Sequence, residues 1–144
     1  MRRVLFELLA AVGVALLISA ALRGRTCGSG FTLLEPERPV SLVMILPPRG
    51  AIVEVSAKGG TVDVTVLRGS VAVAEYRNVT LAVLRLDVWR REPYTVTVSP
   101  VAGEVAEVKV IVELYGVEKD LVLAGALMAA LGALASLISG RSRP

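Results

Sequence analysis

Thr61-Val62-Asp63-Val64-Thr65-Val66 alternates without a break, with valines at the even positions and polar groups at the odd ones. Successive side chains of an extended chain point to opposite faces, so this period of two describes a strand with one face buried and the other in water. Tyr94-Thr95-Val96-Thr97-Val98 and Glu107-Val108-Lys109-Val110-Ile111-Val112-Glu113-Leu114 repeat the pattern. Further β-prone runs cover residues 40–46, 51–56, 71–76 and 79–88, with a short one at 31–35. Breakers separate them: Pro47-Pro48-Arg49-Gly50, Lys58-Gly59-Gly60, Arg68-Gly69-Ser70, Arg91-Glu92-Pro93 and the 99–103 stretch SPVAG. Short strands at this spacing predict a mainly β fold, an antiparallel β-sandwich of seven to eight strands over residues 31–115.

The pattern changes on both sides of this domain. Residues 121–139 read LVLAGALMAALGALASLIS and carry no charge, which predicts a transmembrane helix. Residues 4–22 read VLFELLAAVGVALLISAAL, with Glu7 as the single charge, placed one turn from the start. At about 1.5 Å per residue this segment also reaches across a hydrocarbon core of about 30 Å. Glu7 is read as sitting at the headgroup level beside Arg2 or Arg3. The basic start, the apolar run and Ser19-Ala20-Ala21 also have the form of a signal peptide, so residues 1–22 are a transmembrane helix or a signal peptide, and the length of the apolar run favours the uncleaved helix. Residues 23–30, RGRTCGSG, form a tether, and Gly116 to Asp120 form a short spacer before the second span.

The mean hydropathy of +0.67 fits a chain that meets lipid. The formal net charge is +3, but residues 31–120 hold ten basic and twelve acidic side chains, a net of −2. The positive excess lies in Arg2 and Arg3, Arg23 and Arg25, and Arg141 and Arg143, all beside apolar runs. It therefore reports on membrane topology and offers no nucleic-acid footprint. Arg141 and Arg143 place the tail, residues 140–144, in the cytoplasm, and Glu118 and Asp120 place the other end of the span outside. The expected location is the cell membrane, with the central domain outside the cytoplasm.

Small residues recur every three or four positions in the second span: Gly125, Ala129, Gly132, Ser136 and Gly140. This spacing forms one stripe on a helix, where another backbone can approach closely. The partner is either the first segment, through Ala11, Ala15 and Ser19, or a second copy of the chain.

The domain layout of leader, small sandwich and following span, together with Gly59-Gly60-Thr61-Val62-Asp63-Val64-Thr65-Val66, the 94–98 strand and the valine-rich last strand, resembles the GOLD-type ectodomains of p24-like membrane proteins. The resemblance implies a β-sandwich that binds other proteins. That family usually carries a cysteine pair and a coiled-coil stalk, whereas this chain has Cys27 alone and no stalk.

Composition excludes several chemistries. No histidine is present, which removes histidine-dependent triads and histidine metal sites. Glu54, Asp63, Asp87 and Glu113 fall on different strands at solvent-facing positions, and Gly59-Gly60 lacks the following helix of a phosphate loop. No catalytic, cofactor or metal residue is assigned. Cys27 is either a free thiol or one half of an intermolecular disulfide. Asn78-Val79-Thr80 fits a glycosylation sequon, with Asn78 also a natural turn residue. The absence of histidine and glutamine, with asparagine only at Asn78, resembles thermophile composition.

Trp89, Arg90 and Arg91 are the candidate partner contacts. If Leu84, Leu86 and Val88 face inward, alternation sends Trp89 outward, where a tryptophan beside arginines makes a contact patch. A bulge would instead turn this single tryptophan into the core, and a core slot is the favoured expectation. The reading is a noncatalytic membrane-anchored module that binds a protein partner or assembles with itself. Its alternative is an accessory subunit of a larger membrane enzyme or secretion complex.

Overall fold

The computed structural model describes residues 2–22, 28–33, 38–102 and 105–141. Cys27, Arg23, Arg25, Glu35 and Arg143 lie outside the described residues, and the side chain of Gly140 is not described either. The chain forms two compact units. One contains the helices α1 (Arg2–Leu22) and α2 (Lys119–Arg141). The other contains eight strands: β1 (Gly28–Leu33), β2 (Val40–Leu46), β3 (Gly50–Lys58), β4 (Val62–Arg68), β5 (Val71–Val79), β6 (Leu81–Asp87), β7 (Glu92–Pro100) and β8 (Glu107–Tyr115).

The strands make two antiparallel four-stranded sheets, the first in the order β1-β8-β3-β6 and the second in the order β2-β7-β4-β5. The alternation read in the sequence sets which side chains lie between them. Val62, Val64 and Val66 of β4, Val96 and Val98 of β7, Val53 and Val55 of β3, and Val108 and Val110 of β8 are all buried. Full burial of one valine side chain stabilises a fold by about 1.5–3 kcal/mol, so this layer closes the domain without any covalent staple. β1 begins at Gly28, three residues inside the expected tether. The segment Gly-Ser-Gly has no side-chain alternation to mark it, but it pairs with Val112, Ile111 and Val110 of β8.

The registers gather the connections at two ends. Gly50 lies opposite both Asp87 and Tyr115, and Leu46 lies opposite Glu92. One end therefore carries the 47–49 and 88–91 loops, the 69–70 turn and the exit of β8. The opposite end carries Lys58, Glu107, Leu81 and Val62.

The β5–β6 side of the sandwich is closed by polar contacts. Asn78 adopts φ 54, its backbone N–H donates to Asp63 Oδ1 at 2.7 Å, and the β4–β5 ladder shifts register between Val62 and Val64. The Tyr76 hydroxyl donates to the Val83 carbonyl at 3.1 Å, which links the edge of one sheet to the edge of the other.

In the helical unit, α1 packs on α2 where side chains are smallest. A Cβ built on Gly13 would fall 2.7 Å from the Gly125 carbonyl oxygen, and one built on Gly132 would fall 2.7 Å from the Phe6 carbonyl oxygen. Neither glycine tolerates a side chain without moving the helices apart. Phe6, Ala10, Gly13 and Leu17 lie on the inner face of α1, whereas Ala11 and Ala15 are exposed and Ser19 is half-buried. The expected Ala11/Ala15/Ser19 stripe is thus replaced by one containing Gly13, because backbone approach selects glycine over alanine. Both helices are long and apolar enough to cross a membrane, and only 11% of each apolar window is buried within the molecule.

Candidate functional site

Trp89 is 74% exposed, which corrects its expected place in the core. The β3–β6 register runs from Gly50↔Asp87 to Ser56↔Leu81 without a shift, so no bulge occurs to reverse the alternation. Leu86 and Val88 are buried and Trp89 follows outward, with Arg90 and Arg91 exposed beside it. The structure thus brings the three expected contact residues together on one loop.

The support for this loop was not visible in the sequence. Arg49 is only 1% exposed, although it lies in a proline-rich turn. Its carbonyl accepts from the Val88 N–H at 3.1 Å, and its Nε donates to the Tyr115 carbonyl at 3.3 Å. One arginine therefore ties the start of the tryptophan loop to the end of β8. The Tyr115 ring lies over Gly50, where any Cβ would overlap it. Nothing in a Pro-Pro-Arg-Gly breaker marks its arginine as buried, since arginines at turns are ordinarily solvated. Nearby, Arg68 Nε and Glu92 Oε2 approach to 3.6 Å, a pair exposed enough to add little stability.

The outer faces of the two sheets differ in charge. On the first sheet Glu54 of β3, Arg85 and Asp87 of β6, and Lys109 and Glu113 of β8 share the outward positions by register. On the second sheet the outward positions of β2, β7 and β4 are Ser41, Val43, Ile45, Pro93, Thr95, Thr97, Ser99, Asp63, Thr65 and Leu67. Only Asp63, at the start of β4, is charged. Val43 and Ile45 are each 69% exposed. Ser41 Oγ and Thr97 Oγ1 lie 3.0 Å apart and satisfy one another, which lowers the cost of removing them from water. Further charges lie on β5, where Glu75 accepts from Arg77 Nε at 2.8 Å. That hydrogen bond, with the attraction of the same carboxylate, holds the Arg77 pKa above its ordinary value.

The remaining candidates are dispersed. Gly125, Ala129 and Gly132 face α1, and Ser136 is half-buried on the same helix. Asn78 is exposed at the end of β5. Glu54 and Glu113 are on neighbouring strands of the first sheet, Asp87 is at the end of β6, and Asp63 is on the second sheet. Among the described residues no group of three or more His, Cys, Asp or Glu side chains is placed to hold a metal ion.

No protein-family model matches the sequence, and no curated protein matches it significantly. Among solved structures, the chain is similar to PliG of Aeromonas hydrophila, a periplasmic lysozyme inhibitor of g-type lysozyme, with 11% identity and a TM-score of 0.44. The match covers 63% of this chain and 86% of that one.

Proposed function

We propose that this protein is a membrane-anchored, noncatalytic binding module whose sandwich receives a protein partner, or a second copy, on the outer face of the second sheet. In this reading α1 and α2 cross the bilayer, the sandwich stands outside the cytoplasm and the basic tail lies inside. The observation that carries the binding assignment is the charge-poor β2-β7-β4 surface, whose only outward charge is Asp63 at the start of β4 and on which Val43 and Ile45 are each 69% exposed. An uncharged centre is what distinguishes the core of a protein interface from ordinary surface. The resemblance to GOLD-type ectodomains supports the same assignment, because that family uses its sandwich to bind other proteins. Apolar helices that bury only 11% of their windows support the membrane assignment, since a soluble core helix would be mostly buried.

Photocrosslinking groups installed at Val43 and at Arg85, in native membranes, test the proposal. Adducts of a second protein or a second copy are expected from position 43 and not from position 85. Isolated monomers from both positions would overturn it.

A further inference from the structure

We infer that the Trp89-Arg90-Arg91 loop is a membrane-surface anchor that inserts its tryptophan among anionic lipid headgroups. The inference rests on the membrane-anchored reading and gives the loop a role separate from that of the β2-β7-β4 face.

Four observations combine. First, β8 ends at Tyr115 and α2 begins at Lys119, so the chain between them spans at most about 14 Å. Second, Asp87 and Tyr115 both lie opposite Gly50, one on each side of β3. The loop after Asp87 therefore starts about two strand spacings, roughly 10 Å, from the residue that leads into the span. Third, the loop is held in place: the Arg49 carbonyl fixes Val88, and the Arg49 side chain fixes Tyr115. Fourth, the chemistry suits a headgroup layer. Tryptophan has an apolar body with one polar N–H and favours the membrane–water boundary. Arginine pairs with lipid phosphates in two-pronged geometry, and basic residues close to an anionic surface each favour binding. Arg90 and Arg91 are both exposed next to Trp89, and Asp87 is the one carboxylate exposed next to them. A protein contact at the loop is the rival outcome. The loop lies at the end from which the chain leaves for a span, and two arginines flank the ring, so lipid is the better match.

Trp89 is the only tryptophan, so the full-length chain carries its own probe. The chain is reconstituted into phosphatidylcholine vesicles with and without phosphatidylglycerol, and Trp89 emission is read with lipids brominated near the headgroup. The expected result is a blue shift and bromine quenching that grow with phosphatidylglycerol content and weaken in high salt. Arg90→Glu or Arg91→Glu should lower the docked-to-free ratio by at least about fivefold each. Arg85→Glu, on the outer face of the first sheet, should leave the signal unchanged. A water-like, unquenched Trp89 in both vesicle types, on chains that float with the vesicles, would overturn the inference while leaving the membrane reading intact. Trp89 shielded only when native membrane proteins are present would overturn it in favour of a protein contact. Chains that do not float would overturn the membrane reading itself.

Discussion

The two units of this chain use the same kind of residue in opposite ways. In the sandwich, valines such as Val64 and Val96 point inward and are almost completely covered. In the helices the glycines point inward, and Leu123, Leu127, Leu131 and Leu134 point out. A fold in water hides its branched side chains and shows its polar ones. The helices show the reverse arrangement, which is the one that hydrocarbon surroundings favour. The contrast supports the proposal that α1 and α2 lie in a membrane while the sandwich lies in water.

Substitutions can test that contrast, beginning with the largest expected effect. Val64→Asp places a carboxylate in the dry layer between the sheets, and the sandwich should lose more than about 4 kcal/mol of stability. Denaturant unfolding followed by far-ultraviolet circular dichroism checks this. Leu131→Lys lies near the middle of α2 on its exposed side. A helix in lipid should lose about 3 kcal/mol of apparent insertion free energy in a translocon assay, whereas a helix exposed to water would barely register the change. Gly125→Leu forces the helices apart and should lower their pairing about tenfold. The crosslinking yield to α2 from a photoreactive phenylalanine analogue at Phe6, whose backbone meets Gly132, measures that pairing. Asp63→Ala removes the acceptor for the Asn78 N–H and should cost the sandwich about 1 kcal/mol in the same unfolding assay. The smallest change in stability, within about 0.5 kcal/mol, is expected for Val43→Glu on the exposed face. That substitution should nevertheless abolish crosslinking from a group installed at Ile45 of the same face, which separates a binding role from a folding role.

The strands were legible because alternation is a local property. Val40–Leu46 forms β2 with the expected limits, and the valines of β4 face inward as their spacing requires. The order β1-β8-β3-β6 was not legible, because nothing along the chain states which distant strands will pair. The first three residues of β1 were read as tether, since glycine and serine carry no alternation. On α1 the stripe was assigned to alanines, although its only glycine, Gly13, makes the close approach. In the loop, the alternation of Leu84, Leu86 and Val88 already pointed Trp89 outward. The expectation of a core tryptophan gave too much weight to residue type and too little to period. Arg49 was beyond reach of the sequence, because its burial depends on Val88 and Tyr115, 39 and 66 residues away. The charge-poor face was legible only in part: Thr65, Thr95 and Thr97 were assigned to outer faces, but their gathering beside Val43 depends on the strand order.

Labelling with a membrane-impermeant maleimide tests the two-solvent account most directly. In a Cys27→Ser chain, one cysteine replaces the exposed Arg85 of β6 and, in a separate variant, one replaces Arg143 of the tail. The account predicts that sealed cells label position 85 at once and position 143 only after permeabilisation. Labelling of both positions in sealed cells, or of position 143 alone, would contradict it.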